Sequence, residues 1–252
     1  MTIELIQRPR RGLVTETPVA LVCNAVSLGV MMASPQDLED FATGFALSEG
    51  LVGAVDDIRE VEIQRHDMGI ELRLWLTASQ APTGARRRVS MAAVGCGLCG
   101  IESLEQAARA LPRLPDRRAQ LTRAEIRDAP VALRRHQPEH DRTGASHAAG
   151  FYVPEQGLVA VREDVGRHNA LDKLIGALLR RGMDPASGAV VMTSRISTEL
   201  VQKCATVGLP TLLSVSAPTD LAVAMARTAN MTLVTNIRDG QPFGEDLWSS
   251  VD

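Results

Sequence analysis

Aromatic residues make up only 3% of the sequence, and there are just four cysteines. So few rings argue against a surface that reads nucleic acid by stacking its bases. So few thiols in a long chain argue against a disulfide-held scaffold and point to a reduced, cytosolic setting. The net charge of −3 supplies no general attraction to nucleic acid. No basic segment followed by an apolar core stands at the start, so a secretory leader is not expected. The stretch 17–36 lacks charge, but Pro18, Asn24, Ser27, Gly29, Ser34 and Pro35 interrupt it. It reads as two buried strands and a turn, and no membrane partner is expected.

What the chain does have is 252 residues, 45% of them apolar, enough for a full core. Two of its cysteines stand close together in Gly95-Cys96-Gly97-Leu98-Cys99-Gly100. The glycines remove side-chain bulk and open backbone angles closed to other residues, so amides and a partner molecule can approach both sulfurs. A helical pattern follows, with Ile101, Leu104, Ala108 and Leu111 on one face. A thiol at a helix start meets the positive end of the dipole, which favours the thiolate.

Periodicity divides the chain into an N-terminal α+β part (1–88), a cysteine loop with a helix and a basic excursion (89–150), and an α/β part (151–252), joined as one compact unit. The first part shows hairpins at 18–32 and around His66-Asp67-Met68-Gly69. Between them a helix is expected from Gln36 to about Ser48, capped by Ser34-Pro35. A short strand at 89–94 leads into the cysteine loop. The stretch 109–142 holds nine arginines against five acids and four prolines. It is either a solvated, partly helical surface or a basic face for a phosphate-bearing or acidic partner. The last part alternates strands (158–162, 189–193, 211–215, 231–237) with helices (169–181, 198–207, 220–228). This is the signature of a parallel sheet flanked by helices.

Such sheets take ligands beyond the carboxyl ends of their strands. There the chain places Arg167, His168 and Asn169, then Ser194 and Arg195, then Ser216. Arginines and hydroxyls at helix starts suit phosphate groups, although Asn169, Ser197 and Thr219 could each be simple helix caps.

The cysteine pair allows several chemistries. Haem attachment fails because Gly100, not histidine, follows Cys99. A closed zinc site needs four ligands, and Cys23 and Cys204 stand alone in apolar stretches as core residues, so no metal is expected. The deaminase signature needs His-x-Glu, and no histidine here has glutamate two residues on. The run matches Gly-x-Gly-x-x-Gly, a weak dinucleotide signal. A redox dithiol and a sulfur-carrying thiol both remain open.

Across nearly its whole length the chain resembles the FdhD/NarQ family, the sulfurtransferases that serve formate dehydrogenase. The matching blocks are Val19-Ala20-Leu21-Val22, Asp37-Leu38-Glu39-Asp40-Phe41-Ala42-Thr43-Gly44-Phe45 with Ser48-Glu49-Gly50, and Cys96-Gly97-Leu98-Cys99-Gly100. They continue with Thr143-Gly144, His147-Ala148-Ala149, Glu163-Asp164-Val165-Gly166-Arg167-His168-Asn169-Ala170 and Asp172-Lys173. Ser194-Arg195, Glu199-Leu200-Val201-Gln202-Lys203 and Ser216-Ala217-Pro218-Thr219 complete them.

The resemblance implies a mixed sheet flanked by helices, cytidine-deaminase-like in its C-terminal part, with a smaller α+β N-terminal part. It implies a carrier that takes persulfide sulfur from a cysteine desulfurase. The sulfur then passes to the bis-molybdopterin guanine dinucleotide molybdenum cofactor, bound as substrate, before insertion into formate dehydrogenase. Cys96 would carry the sulfur and Cys99 assist, while the polar loops hold the dinucleotide. The family's cofactor-binding tail is of Phe-Asn-x-Tyr type. Here it reads Phe243-Gly244-Glu245-Asp246-Leu247-Trp248, in which Phe243 alone matches. The alternatives are a dithiol oxidoreductase and a non-enzymatic chaperone of the molybdenum cofactor. Low charge and apolar helices permit a homodimer without demanding one.

Overall fold

The computed structural model describes residues 12–77 and 111–237, together with the backbone of 238, 241–242 and 247–248. Cys96 and Cys99, the expected strand at 89–94, all but Leu111 of the helical face after it, and Phe243, Gly244, Glu245 and Asp246 lie outside the described residues.

Local turn chemistry builds the first sheet. Strand β1 (Thr17–Cys23) returns as β2 (Val26–Ala33) through Asn24 and Ala25, at φ 45° and 63°. Positive φ at both central residues is the turn whose twist suits a hairpin. Strands β3 (Ile58–His66) and β4 (Gly69–Leu76) pair around Asp67 and Met68. β1 then lies parallel to β4, giving the order β2-β1-β4-β3. Val19, Leu21 and Cys23 alternate inward from β1, and Ile70, Leu72, Leu74 and Leu76 from β4.

Helix α1 (Leu38–Ser48) covers that face with Phe41, Phe45 and Ala42. It starts two residues later than its sequence suggests. Asp37 is the N-cap, in the left-handed region at φ 53°. Ser34 is not its cap because Ser34 is buried and bonded to a distant turn (Ser34 Oγ accepts from the Val165 amide at 3.1 Å). Nearly every residue of α1 is buried, since its other side packs on helix α4 (Arg167–Arg180).

The second sheet has six strands in the order β12-β9-β8-β7-β5-β6. They are β5 (His147–Val153), β6 (Gly157–Asp164), β7 (Ala189–Met192), β8 (Thr211–Ser214), β9 (Thr232–Val234) and β12 (Leu247–Trp248). The strands β7, β8 and β9 are parallel, as the alternation of strands and helices implies. The sheet is mixed because β5 runs antiparallel to β6 and β7, and β12 antiparallel to β9. β5 carries no clean alternation because Ala148 through Val153 are buried on both faces. The expected strand at 231–237 is two pieces, β9 and β10 (Ile237–Arg238), broken by Asn236 at φ 57°; β10 pairs with β11 (Gln241–Pro242).

Alternate residues of each strand enter different cores. Phe151, Val190, Met192, Leu212 and Leu233 meet helices α4, α5 (Thr198–Thr206) and α6 (Asp220–Thr228). Tyr152, Val191, Leu213 and Val234 meet helix α2 (Arg123–Arg134) on the opposite face. Thr122 caps α2 with Glu125 in a reciprocal box. A short helix α3 (Pro138–Thr143) precedes β5. Much of the basic excursion is locally neutralised: Arg117 pairs with Asp184, Arg118 with Asp116, Arg134 with Asp141 and Arg142 with Glu139. Among the described residues, no helix is long and apolar enough to cross a membrane.

Candidate functional site

The register of the second sheet decides which loops meet. His147 at the start of β5 faces Asp164 at the end of β6, Ala149 faces Met192 at the end of β7, and Met192 faces Ser214 at the end of β8. The carboxyl ends of β6, β7 and β8 therefore share one edge. Arg167, His168, Ser194, Arg195 and Ser216 all come to that edge, as expected from the sequence.

Hydrogen bonds knit the edge loops together. Ser214 Oγ donates to the Ser194 carbonyl at 2.6 Å and accepts from the Ser216 amide at 3.0 Å. The Ile196 amide donates to Ala217 O at 3.2 Å, and Thr219 N to Ile196 O at 3.0 Å. The loops after β7 and β8 thus run side by side as an extension of the sheet. Asn236 N donates to Ser216 O at 3.2 Å, adding the loop after β9. Thr219 is a true helix cap, accepting from Ala222 N at 3.3 Å. Ser197 makes no capping bond, and Asn169 lies inside α4 rather than at its cap.

The positive charges at the edge come from arginines. Arg195 is exposed. Arg167 stands at the first residue of α4, and its buried Nε has no hydrogen-bond partner. His168 Nε2 lies 3.5 Å from Ser197 Oγ and 3.9 Å from a Glu199 carboxylate oxygen. Burial, then the Arg167 and Lys203 charges, push its pKa down to about 4. His147 is lowered for the same first reason, with Arg167 and His140 adding to it. Both rings are neutral near pH 7, so the cationic character of this edge rests on the two guanidinium groups. Arginines of this kind suit a phosphate or pyrophosphate, because their planar forks match its oxygens.

Behind the edge, Asn169 is turned inward: its amide donates to Met32 O at 2.8 Å and to Asp164 Oδ1 at 2.9 Å. Lys173 and Asp164 form a wholly buried ion pair at 2.6 Å. A second buried pair joins Lys203 to Asp172 (both oxygens at 2.9 Å), with Glu49 at 2.6 Å and Ser48 Oγ at 3.0 Å. Burial works against the ammonium, but Asp172 and Glu49 outweigh it and hold Lys203 above the usual lysine range. Burial also pushes Asp172 up to about 6. Ser34, read from the sequence as part of a helix cap, instead supports the edge through partners 130 or more residues away.

The remaining described cysteines are core residues. Burial pushes Cys23 up to about 11 and Cys204 up to about 12, which makes poor nucleophiles of both. Among the described residues, no three His, Cys, Asp or Glu side chains converge as a metal site would require.

The FdhD/NarQ family model matches residues 14–243. The chain belongs to the FdhD/NarQ family. The sulfur carrier protein FdhD of Agrobacterium fabrum is 46% identical over 238 residues, covering 94% of this chain and 86% of that protein. The protein of the same name from Cupriavidus necator is 48% identical over 226 residues, covering 89% and 78%. A crystal structure from Desulfotalea psychrophila, described as a formate dehydrogenase accessory protein, superposes with a TM-score of 0.72. It shares 27% identity and covers 95% of this chain and 89% of its own. Two mixed sheets flanked by helices are thus the fold of a family member.

Proposed function

We propose that this protein is a sulfur carrier in formate dehydrogenase maturation, with Cys96 as the carrying thiol and Cys99 as its partner. The family match at 14–243 carries this reading, because it spans the glycine-cysteine loop and the sheet edge together. Relatives named sulfur carrier protein FdhD align with nearly the whole chain.

Sulfur enters when the Cys96 thiolate attacks the sulfane sulfur of a cysteine desulfurase persulfide. The donor S–S bond breaks, the donor cysteine leaves as thiolate, and Cys96 becomes the persulfide. Release uses Cys99. Its thiolate attacks Cys96 Sγ, the outer sulfur leaves as hydrosulfide, and a Cys96–Cys99 disulfide remains for a dithiol reductant to reopen. The two thiols supply the electrons that reduce sulfane sulfur to sulfide.

The recipient is the molybdenum of the bis-molybdopterin guanine dinucleotide cofactor, bound as substrate before its insertion into formate dehydrogenase. Arg167 and Arg195 face its phosphates, Ser216 offers a hydroxyl and His168 a neutral ring, whereas the Ser194 hydroxyl is buried and donates to Arg195 O at 3.1 Å, so it supports the loop instead of the ligand. Of the tail 243–248, β12 brings Leu247 and Trp248 into the sheet beside β9, next to the loops of this site.

Intact-mass measurement tests this reading after incubation with a cysteine desulfurase and cysteine. A reductant-sensitive gain of ~32 Da that disappears in Cys96→Ala supports the carrier. A loss of ~2 Da on mild oxidation with no sulfur gain identifies a dithiol oxidoreductase instead. Neither change, with guanine nucleotide still bound, leaves a cofactor chaperone.

A further inference from the structure

Ser34 belongs to the segment after β2, yet its amide, hydroxyl and carbonyl are spent on the end of β6, the turn after it and helix α4 respectively. Its amide donates to Asp164 Oδ2 at 2.9 Å. Its hydroxyl oxygen accepts from the Val165 amide at 3.1 Å. Its carbonyl accepts from Lys173 Nζ at 2.9 Å. Asp164 is equally occupied: Oδ2 also takes Lys173 at 2.6 Å, while Oδ1 takes Gly166 N at 2.7 Å and Asn169 Nδ2 at 2.9 Å. Lys173 reaches Glu163 O at 3.4 Å as well, and Asn169 ties back to Met32 O. Ser34 and Asp164 are buried, and the side chains of Asp164 and Lys173 are fully so.

The chain's own chemistry does not require this arrangement. A strand-to-helix turn can be capped by its own residues, and Asp164 does cap Gly166 locally. The added contacts come from the segment that follows β2 of the other sheet, 130 residues away. They fix the position of the backbone from which Arg167 and His168 project. Arg167 itself has a buried Nε with no hydrogen-bond partner, so its guanidinium is not held in place through that atom.

We infer that Ser34 is a positioning residue for the edge ligand, acting through the Asp164 turn to set Arg167 against a guanosine diphosphate-type phosphate group. The inference rests on the edge reading given under Proposed function. Preset cationic groups bind without the cost of ordering a mobile turn, and loosening their support lowers affinity even when the fold survives.

The test is the affinity of the full chain for guanosine diphosphate, measured well below the unfolding midpoint. Ser34→Ala keeps the backbone bonds but strips Val165 N of its acceptor. It is expected to bind roughly three- to tenfold more weakly, the equivalent of one buried hydrogen bond. Ser34→Thr, which keeps the hydroxyl, should restore most of the affinity. Val19→Ala, in the first-sheet core and away from the turn, is the stability control. It should lower the midpoint and leave affinity unchanged. Equal affinity of Ser34→Ala and wild type, or an equal loss in Val19→Ala at matched stability, overturns the inference. A wild-type chain that does not bind guanosine diphosphate overturns the edge reading instead, and the inference falls with it.

Discussion

Gly44 of α1 and Gly176 of α4 lie against each other's helix so closely that neither tolerates a side chain. A Cβ on Gly44 would stand 1.7 Å from the Asp172 carbonyl oxygen, and one on Gly176 would stand 1.9 Å from that of Asp40. This crossing lets Ser48 and Glu49 reach Lys203 and Asp172, and Asp40 reach Arg162 and Arg180. Gly176→Ala should therefore cost about 3 kcal/mol or more, because backbone must move. Thermal unfolding checks it; a shift of less than 2 °C would remove the crossing from the account.

Lys203→Met leaves Asp172 buried without its cation. The expected loss is about 3–5 kcal/mol in urea denaturation. The double change Lys203→Met with Asp172→Leu should recover part of it, since it removes both charges. A double variant as unstable as the sum of the singles would show that the pair does not interact energetically.

His168 is held neutral, with its folded value near 4 against an ordinary 6.5. The unfolded chain binds a proton there first, so this group's contribution to stability is lost as pH falls from about 6.5 toward 4. Asp172, raised to about 6, works in the opposite direction over part of that interval. The stability difference between His168→Gln and wild type should thus shift in the variant's favour as pH falls through that window. A difference independent of pH would contradict the buried neutral ring.

Cys23 and Cys204 should resist a thiol reagent at pH 8 until the protein unfolds, with any native reactivity confined to Cys96 and Cys99. Both buried thiols stay protonated when folded and ionise when unfolded. Their contribution is present below about pH 9 and is lost as pH rises toward 11 and 12. Mass mapping of the alkylated native protein identifies which residues react.

Arg195 is exposed at the edge, so Arg195→Ala should leave the unfolding midpoint within about 1 °C while weakening guanosine diphosphate binding roughly tenfold. The loss should shrink as salt rises, because an exposed charge is screened. Unchanged affinity would take Arg195 out of the site.

Much of this architecture is written in local pattern. Hairpins around Asn24-Ala25 and Asp67-Met68 follow from alternation and turn chemistry. The helices α4, α5 and α6, and the strands β7 and β8 between them, follow from helical spacing and short apolar runs. The edge that gathers Arg167, Ser194, Arg195 and Ser216 follows in turn, because parallel strands put their carboxyl ends together. β5 escapes because burial on both faces erases its alternation.

By itself the sequence determined which segments pair locally, which loops share an edge, and which thiols stand together. Tertiary structure alone decided that β1 lies parallel to β4, that α1 crosses α4 at two glycines, and that Ser34 serves the Asp164 turn rather than its own helix. The physical reason is separation. A cap, a turn or a helical face is set by neighbours a few residues away. Lys173 and Lys203, ammonium groups inside helices, are buried only because acids from other elements reach them.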